Sequence, residues 1–296
     1  MKRIIFTALG LIAVSKVFTA CEFNQSVHKD LKTGALSKGD GIACESITME
    51  VNGTKDHRNT FVFGEKVNLV FNDLTGFTKI DGKTYPFLSL DIVKNEKDTV
   101  LSYANLLGDI KEGTDLSPLQ LQANFTAALP HGNNEKYKLY IHIWDGKGKG
   151  NFSYELPFTI KKSELLDIER SDITYQNIYL WNESLGQPVL DKTIDFDHTL
   201  RLILEGITGL EETEGKIYPV FSIDLVDSAG NIMLSNPNVF SAYETTGINA
   251  ADFKKQASAK ITFQKGKVNN PCKLTATLKD RHSKKKIVVA AALEIK

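Results

Sequence analysis

Tyr140, His142 and Trp144 stand two residues apart in the run Tyr137 to Asp145, which alternates apolar and polar residues with period two. If Leu139, Ile141 and Ile143 face a core, these three rings share the opposite face as a flat row. Such a row breaks no bonds. Its chemistry is recognition, because aromatic faces stack on sugar rings or anchor a protein partner. It also has a purely structural reading, cross-strand packing within one sheet. No catalytic constellation competes with it: GxSxG, Walker, HExxH and EF-hand patterns are absent. Gly146-Lys147-Gly148-Lys149-Gly150 has the composition of a phosphate loop but lacks the following Ser/Thr and helix, so it reads as a hairpin turn. The histidines, at His28, His57, His131, His142, His198 and His282, have no partners at metal-ligand spacing; Asp195, Asp197 and His198 come nearest. Neither catalytic residues, nor a metal, nor a cofactor is expected.

The elements that must hold this row come as a pair. Phe63 to Asn105 repeats without a gap at Phe196 to Asn238, with a constant offset of 133 residues, as from Gly76 to Gly209 and from Tyr85 to Tyr218. Where the copies differ, one apolar residue mostly replaces another of similar volume, the exchange that cores tolerate best. Short alternating runs with turn residues between them predict about seven strands per copy. Two tandem antiparallel β-sandwiches of immunoglobulin-like type follow, an all-β chain with one loop helix at most per copy. Tyr137 looks like the tyrosine corner of such folds. Asp115 and Asn249 stand as N-caps of a single helical turn in each copy. The expected boundaries are 44–162 and 163–296, with 161–170 a short charged link. Residues 22–43, polar and rich in Lys, Gly and Ser, read as a flexible tether.

The repeated residues carry their own expectations. Gly76/Gly209 and Gly82/Gly215 bracket a loop that needs positive φ or close backbone approach. Ser89/Asp91 and Ser222/Asp224 share one strand face; a carboxylate kept in both copies could bind a metal, but a structural role is the simpler reading. The aromatic row is not repeated, since Thr275, Thr277 and Lys279 stand in its place. Copy one therefore holds a strip that the fold itself does not demand.

Lys+Arg and Asp+Glu each number 36, so the net charge is zero and no basic footprint for nucleic acid exists. Cys44 and Cys272 occupy unrelated positions in the two copies and read as separate thiols rather than a disulfide. Residues 1–20 read as a signal peptide: Lys2-Arg3 precede an apolar stretch, Ile4 to Val14, too short to span a bilayer. Val17-Phe18-Thr19-Ala20-Cys21 resembles the lipobox of bacterial lipoproteins, with Phe18 where Leu is usual, which implies a lipid on Cys21 and a lipidated tether over 21–43. Asp98-Thr99-Val100 and Asp227-Ser228-Ala229 resemble the O-glycosylation acceptor of Bacteroidetes, marking Thr99 and Ser228 in what reads as the same hairpin loop. With its Thr-Gly-x(5)-Gly-Lys-x-Tyr-Pro core, the chain resembles uncharacterised Bacteroidetes lipoproteins with tandem immunoglobulin-like domains. That resemblance implies anchoring to the outer membrane and a non-enzymatic role. The partner would be a glycan or an envelope protein; the alternative is an assembly component without a soluble ligand.

Overall fold

Strict alternation decides the layers. In the stretch Pro86–Lys94, Leu88, Leu90 and Ile92 are fully buried while Phe87, Ser89 and Asp91 point the other way. Tyr137–Asp145 buries Leu139, Ile141 and Ile143 in the same manner. In the computed structural model, residues 25–108, 112–129, 135–263, 266 and 268–296 are described. The expected signal peptide and Cys21 lie outside the described residues.

Copy one runs through β1 (Gln25–Lys29), β2 (Leu36–Asp40), β3 (Ser46–Val51), β4 (Thr54–Lys55), β5 (Thr60–Val62) and β6 (Lys66–Leu74). It continues with β7 (Pro86–Lys94), β8 (Asp98–Tyr103), β9 (Leu119–Thr126), β10 (Tyr137–Asp145) and β11 (Asn151–Lys161). One sheet has the order β1-β2-β11-β10-β7-β8, with β5 joining β11 in parallel; the other has the order β4-β3-β6-β9. Between them lies a core built around Phe61, Phe71, Leu90, Ile141 and Leu156.

Copy two repeats this plan with β12 (Asp167–Ser171), β13 (Asn177–Asn182), β14 (Gln187–Pro188), β15 (Thr193–Ile194), β16 (Thr199–Glu205) and β17 (Lys216–Ile217). The remaining strands are β18 (Pro219–Val226), β19 (Ile232–Asn236), β20 (Ile248–Asn249), β21 (Ala257–Thr262), β22 (Cys272–Asp280) and β23 (Lys286–Ile295). Its main sheets are β12-β23-β22-β18-β19 and β14-β13-β16-β21, β15 joins β23 in parallel as β5 joins β11, and β17 pairs β20 as a separate two-stranded sheet. A separate core surrounds Leu202, Phe221, Leu274 and Leu293. The chain is thus all-β and sandwich-built, with two cores and one strand plan used twice.

The flexible tether is overturned for its larger part. Residues 25–40 form a hairpin, and β2 adds to the sheet through Leu36↔Glu155 to Asp40↔Asn151. Ala35 and Ile42 are buried in the core. Composition hid this because nearly every side chain of the hairpin is polar or exposed; the backbone ladder to β11 supplies the attachment. In copy two the matching strand is β12, which pairs β23 and takes up residues 167–170 of the supposed link at 161–170. The β1 strand has no counterpart there among the described residues.

The helix expectation splits between the copies. Asn249 caps α1 (Ala250–Lys255), its Oδ1 accepting the Asp252 N–H at 3.0 Å. After Asp115 the same position is Pro118, which has no N–H to give, and no helix forms. Replacing Asn249 by Ala should cost about 1 kcal/mol in urea unfolding; no shift in the midpoint would mean the cap is idle.

The repeated residues resolve into particular jobs. Gly76 and Gly209 have φ of 92° and 101°, and a Cβ on either would run into the backbone carbonyl of Gly41 or Asp172. Gly82 and Gly215 need only the positive φ of a tight turn, following Asp81 and Glu214, which are themselves at positive φ. Ser102 donates to Asp91 at 2.6 Å and Ser235 to Asp224 at 2.7 Å, so the shared carboxylates tie neighbouring strands together. Tyr137 is buried with its ring stacked on Phe158. The copies meet where Phe63, in the β5–β6 turn, packs on Tyr179 with ring centroids 5.0 Å apart.

Candidate functional site

The strip forms as the alternation requires. Tyr140, His142 and Trp144 lie on the outer face of β10, half-buried or exposed, opposite the three core residues of the same strand. Register places Asp91, Ser89 and Phe87 of β7 beside them on one flank, and Glu155, Ser153 and Asn151 of β11 on the other. The Phe87 and Trp144 rings stack at 5.3 Å and 11°, and His142 stacks on Trp144 at 5.1 Å and 19°. At the other end the Lys138 ammonium sits 5.0 Å over the Tyr140 ring and pairs with Glu155 at 2.6 Å. That hydrogen bond to Glu155 raises the lysine pKa and keeps it charged. Partial desolvation lowers the His142 pKa and favours its neutral form.

The result is a stacked row of rings edged by hydroxyl, amide and carboxylate groups. A hollow of about 580 Å³ opens at the Trp144 end, walled by the β10–β11 turn at Gly148 to Gly150. Flat rings with polar flanks can stack on the apolar face of a pyranose while its hydroxyls find hydrogen-bond partners. Packing within the sheet accounts for the stacks of Phe87 and His142 on Trp144; Tyr140 and Trp144 remain half-buried and His142 exposed.

Phe87 escaped the sequence reading although a signal for it exists: its counterpart in copy two is Val220, so it shares the asymmetry of the strip. Which strand lies beside β10 could not be read from alternation alone. A second pair also escaped. Asp145 and Asp280, 5% and 3% exposed, close the ends of β10 and β22. Asp145 accepts the N–H groups of Thr78 at 2.7 Å and Lys147 at 2.9 Å; Asp280 accepts those of Glu211 at 2.8 Å and His282 at 3.1 Å. Burial opposes their charge, but these backbone donors outweigh it and hold both carboxyls below the usual range. They are structural clamps.

Other marked residues do not assemble. Thr99 is exposed on β8, opposite Val93, whereas Ser228 sits past the end of β18 with its hydroxyl donating to the carbonyls of Asn269 and Asn270. They belong to the same hairpin in the two copies but not to equivalent positions: residue 99 corresponds to Ile232, and Ser228 to Asn95. Asp195 lies 3.7 Å from His198, and among the described residues no group of three His, Cys, Asp or Glu side chains could hold a metal ion. Cys44 and Cys272 are free thiols in separate copies. Burial pushes the Cys44 pKa up to about 11, which leaves it a thiol rather than a nucleophilic thiolate at neutral pH.

Among the described residues no helix is long and apolar enough to cross a membrane. No protein-family model matches the chain, and no curated protein matches it. Among solved structures the chain is similar to pT26-6p, with 7% identity over 92% of this chain and 65% of that one, at a TM-score of 0.26. A calcium-binding mutant of Bacteroides uniformis beta-glucuronidase 2 gives 9% identity over 85% of this chain and 32% of that one, at 0.24. The C-terminal domain of the Streptococcus agalactiae AgI/II polypeptide BspA gives 11% over 82% and 99%, at 0.25. The chain therefore spans less than two thirds of the first two, and likeness at this level carries no argument about activity; the fold rests on the strand pairing itself.

Proposed function

We propose that the chain is a non-enzymatic cell-envelope lipoprotein, held to the outer membrane through Cys21, whose first sandwich binds a glycan on the outer face of β10. The observation that supports this reading is the stacked row Phe87, Trp144 and His142, continued by Tyr140, on a face where copy two carries Thr275, Thr277 and Lys279. The fold is made twice and the aromatic row once, so the row serves something other than folding. Its flanking groups, Ser89, Ser153 and Asn151, suit hydroxyl-rich ligands, and no activated nucleophile adjoins it.

A glycan array probed with residues 22–296 tests the idea directly. Binding should fall by about 30-fold or more when Tyr140 and Trp144 are both replaced by Ala, which corresponds to about 2 kcal/mol for losing anchor rings. Melting should drop by about 10 °C at most, because the lost contacts of Trp144 with Phe87 and His142 contribute about 1 kcal/mol each and the exposed Lys138–Tyr140 contact less. A collapse in melting temperature with binding intact would assign the row to packing instead.

A further inference from the structure

A cleft of about 890 Å³ lies where the copies meet, larger than the hollow on the strip. Trp181, on the outer face of β13 beside Pro188, forms one wall. Asn52 and Asn124 of copy one and Gln187 of copy two bring three side-chain amides to the same space. Among the described residues Asn124 and Gln187 make no side-chain hydrogen bond, and Asn52 uses only its Oδ1, which accepts the Lys66 N–H at 2.9 Å. Each free amide offers a donor and an acceptor side by side, the pattern that matches neighbouring hydroxyls.

The charges of the cleft cancel. Asp195 lies 3.7 Å from the His198 ring and 3.8 Å from the Lys296 ammonium, while Lys66 and Asp191 add one charge of each sign. A phosphate or a polyanion would need a surplus of cations here, and a cation would need a surplus of carboxylates. An aromatic wall, unspent amides and balanced charge, in a volume typical of ligand clefts between domains, suit a neutral polyhydroxylated molecule.

We infer that this cleft is a second glycan site, taking a neutral oligosaccharide between the two copies. The ligand class rests on the same stacking chemistry as the β10 strip, but the site itself does not depend on that strip. The chain has two tryptophans, and each candidate site holds one: Trp144 on the strip and Trp181 in the cleft. Each site can therefore be watched alone.

The test uses residues 22–296 carrying Trp144→Phe, so that Trp181 is the sole indole, titrated with cello-, xylo-, malto- and mannohexaose and with hexagalacturonate. The expected result is a saturable shift of emission with at least one neutral hexasaccharide and none with the hexuronate. Replacing Asn124 and Gln187 together by Ala should weaken that response at least tenfold while near-ultraviolet dichroism stays unchanged. Silence of Trp181 toward all neutral sugars, a response to the hexuronate alone, or a response indifferent to the amides would overturn the inference. The converse variant, Trp181→Phe, reports the strip. If it is silent while Trp144→Phe responds, the strip reading fails and the cleft stands; the opposite pattern sinks the cleft alone.

Discussion

Gly76→Ala should destabilise copy one by about 4 kcal/mol, among the largest effects a single methyl group can have. Two causes act together. A φ of 92° lies outside the region an L-residue with a side chain adopts without strain. The added Cβ would also overlap the Gly41 carbonyl. Neither segment can step aside, because Ala43 and Thr75 exchange two backbone hydrogen bonds of 3.1 and 2.9 Å across this crossing. Gly82→Ala is the control. Its φ is 78° and nothing lies within 4 Å of the added carbon, so the cost is only about 1 kcal/mol of backbone strain. Urea unfolding followed by Trp144 fluorescence compares the two. Equal midpoints for both variants would show that the crossing is looser than its geometry. Gly209→Ala should repeat the effect in copy two, where Asp172 supplies the obstructing carbonyl.

Asp145→Asn should cost about 2 kcal/mol at pH 7 and flatten the acid side of the stability curve. The carboxylate accepts the backbone N–H groups of Thr78 and Lys147, and so holds the loop after β6 against the β10–β11 turn. An amide in its place has one acceptor oxygen for two donors and no charge to strengthen either bond. The sign of the pH dependence follows from the direction of the shift. The folded-state pKa is held below the unfolded value of about 3.9. The stabilisation is therefore complete above that value and disappears as the pH falls through the lower folded pKa. Asp280 behaves the same way in copy two, where Glu211, His282 and Ser283 are its donors. Urea midpoints measured from about pH 2 to about pH 7, which bracket the ordinary carboxylate value, provide the check. An Asp145→Asn protein that loses stability in acid as steeply as the wild type would remove the carboxylate from this role.

Both predictions fall on residues that the duplication brought to notice or could have. The glycine pairs stood out because substitution between the copies is otherwise common, yet the reason for them differs. Gly76 and Gly209 answer to a backbone crossing, Gly82 and Gly215 to turn dihedrals. Asp145 and Asp280 were equally repeated but lay outside the gapless stretch, at an offset of 135 rather than 133. Their loop partners Thr78 and Glu211 are 67 and 69 residues away in sequence. A buried carboxylate and the loop it ties cannot be matched by local pattern. The same limit hid Phe87 beside Trp144: alternation says which face a ring occupies, and only strand order says which rings become neighbours.

Alternation of apolar side chains, repeated once along the chain, was enough to determine an all-β architecture, the inward and outward faces of β7 and β10, and the asymmetry that singles out Tyr140, His142 and Trp144. These properties follow from the period of two in a strand and need no knowledge of distant partners. Tertiary structure decided the rest. It turned polar residues 25–40 into a hairpin because β11 had unpaired backbone groups to share. It denied copy one a helix that Pro118 could not help cap. It also created the cleft around Trp181, which exists only because two sandwiches meet there. Backbone hydrogen bonding and the meeting of remote surfaces leave no mark on composition, and they set what this chain can hold.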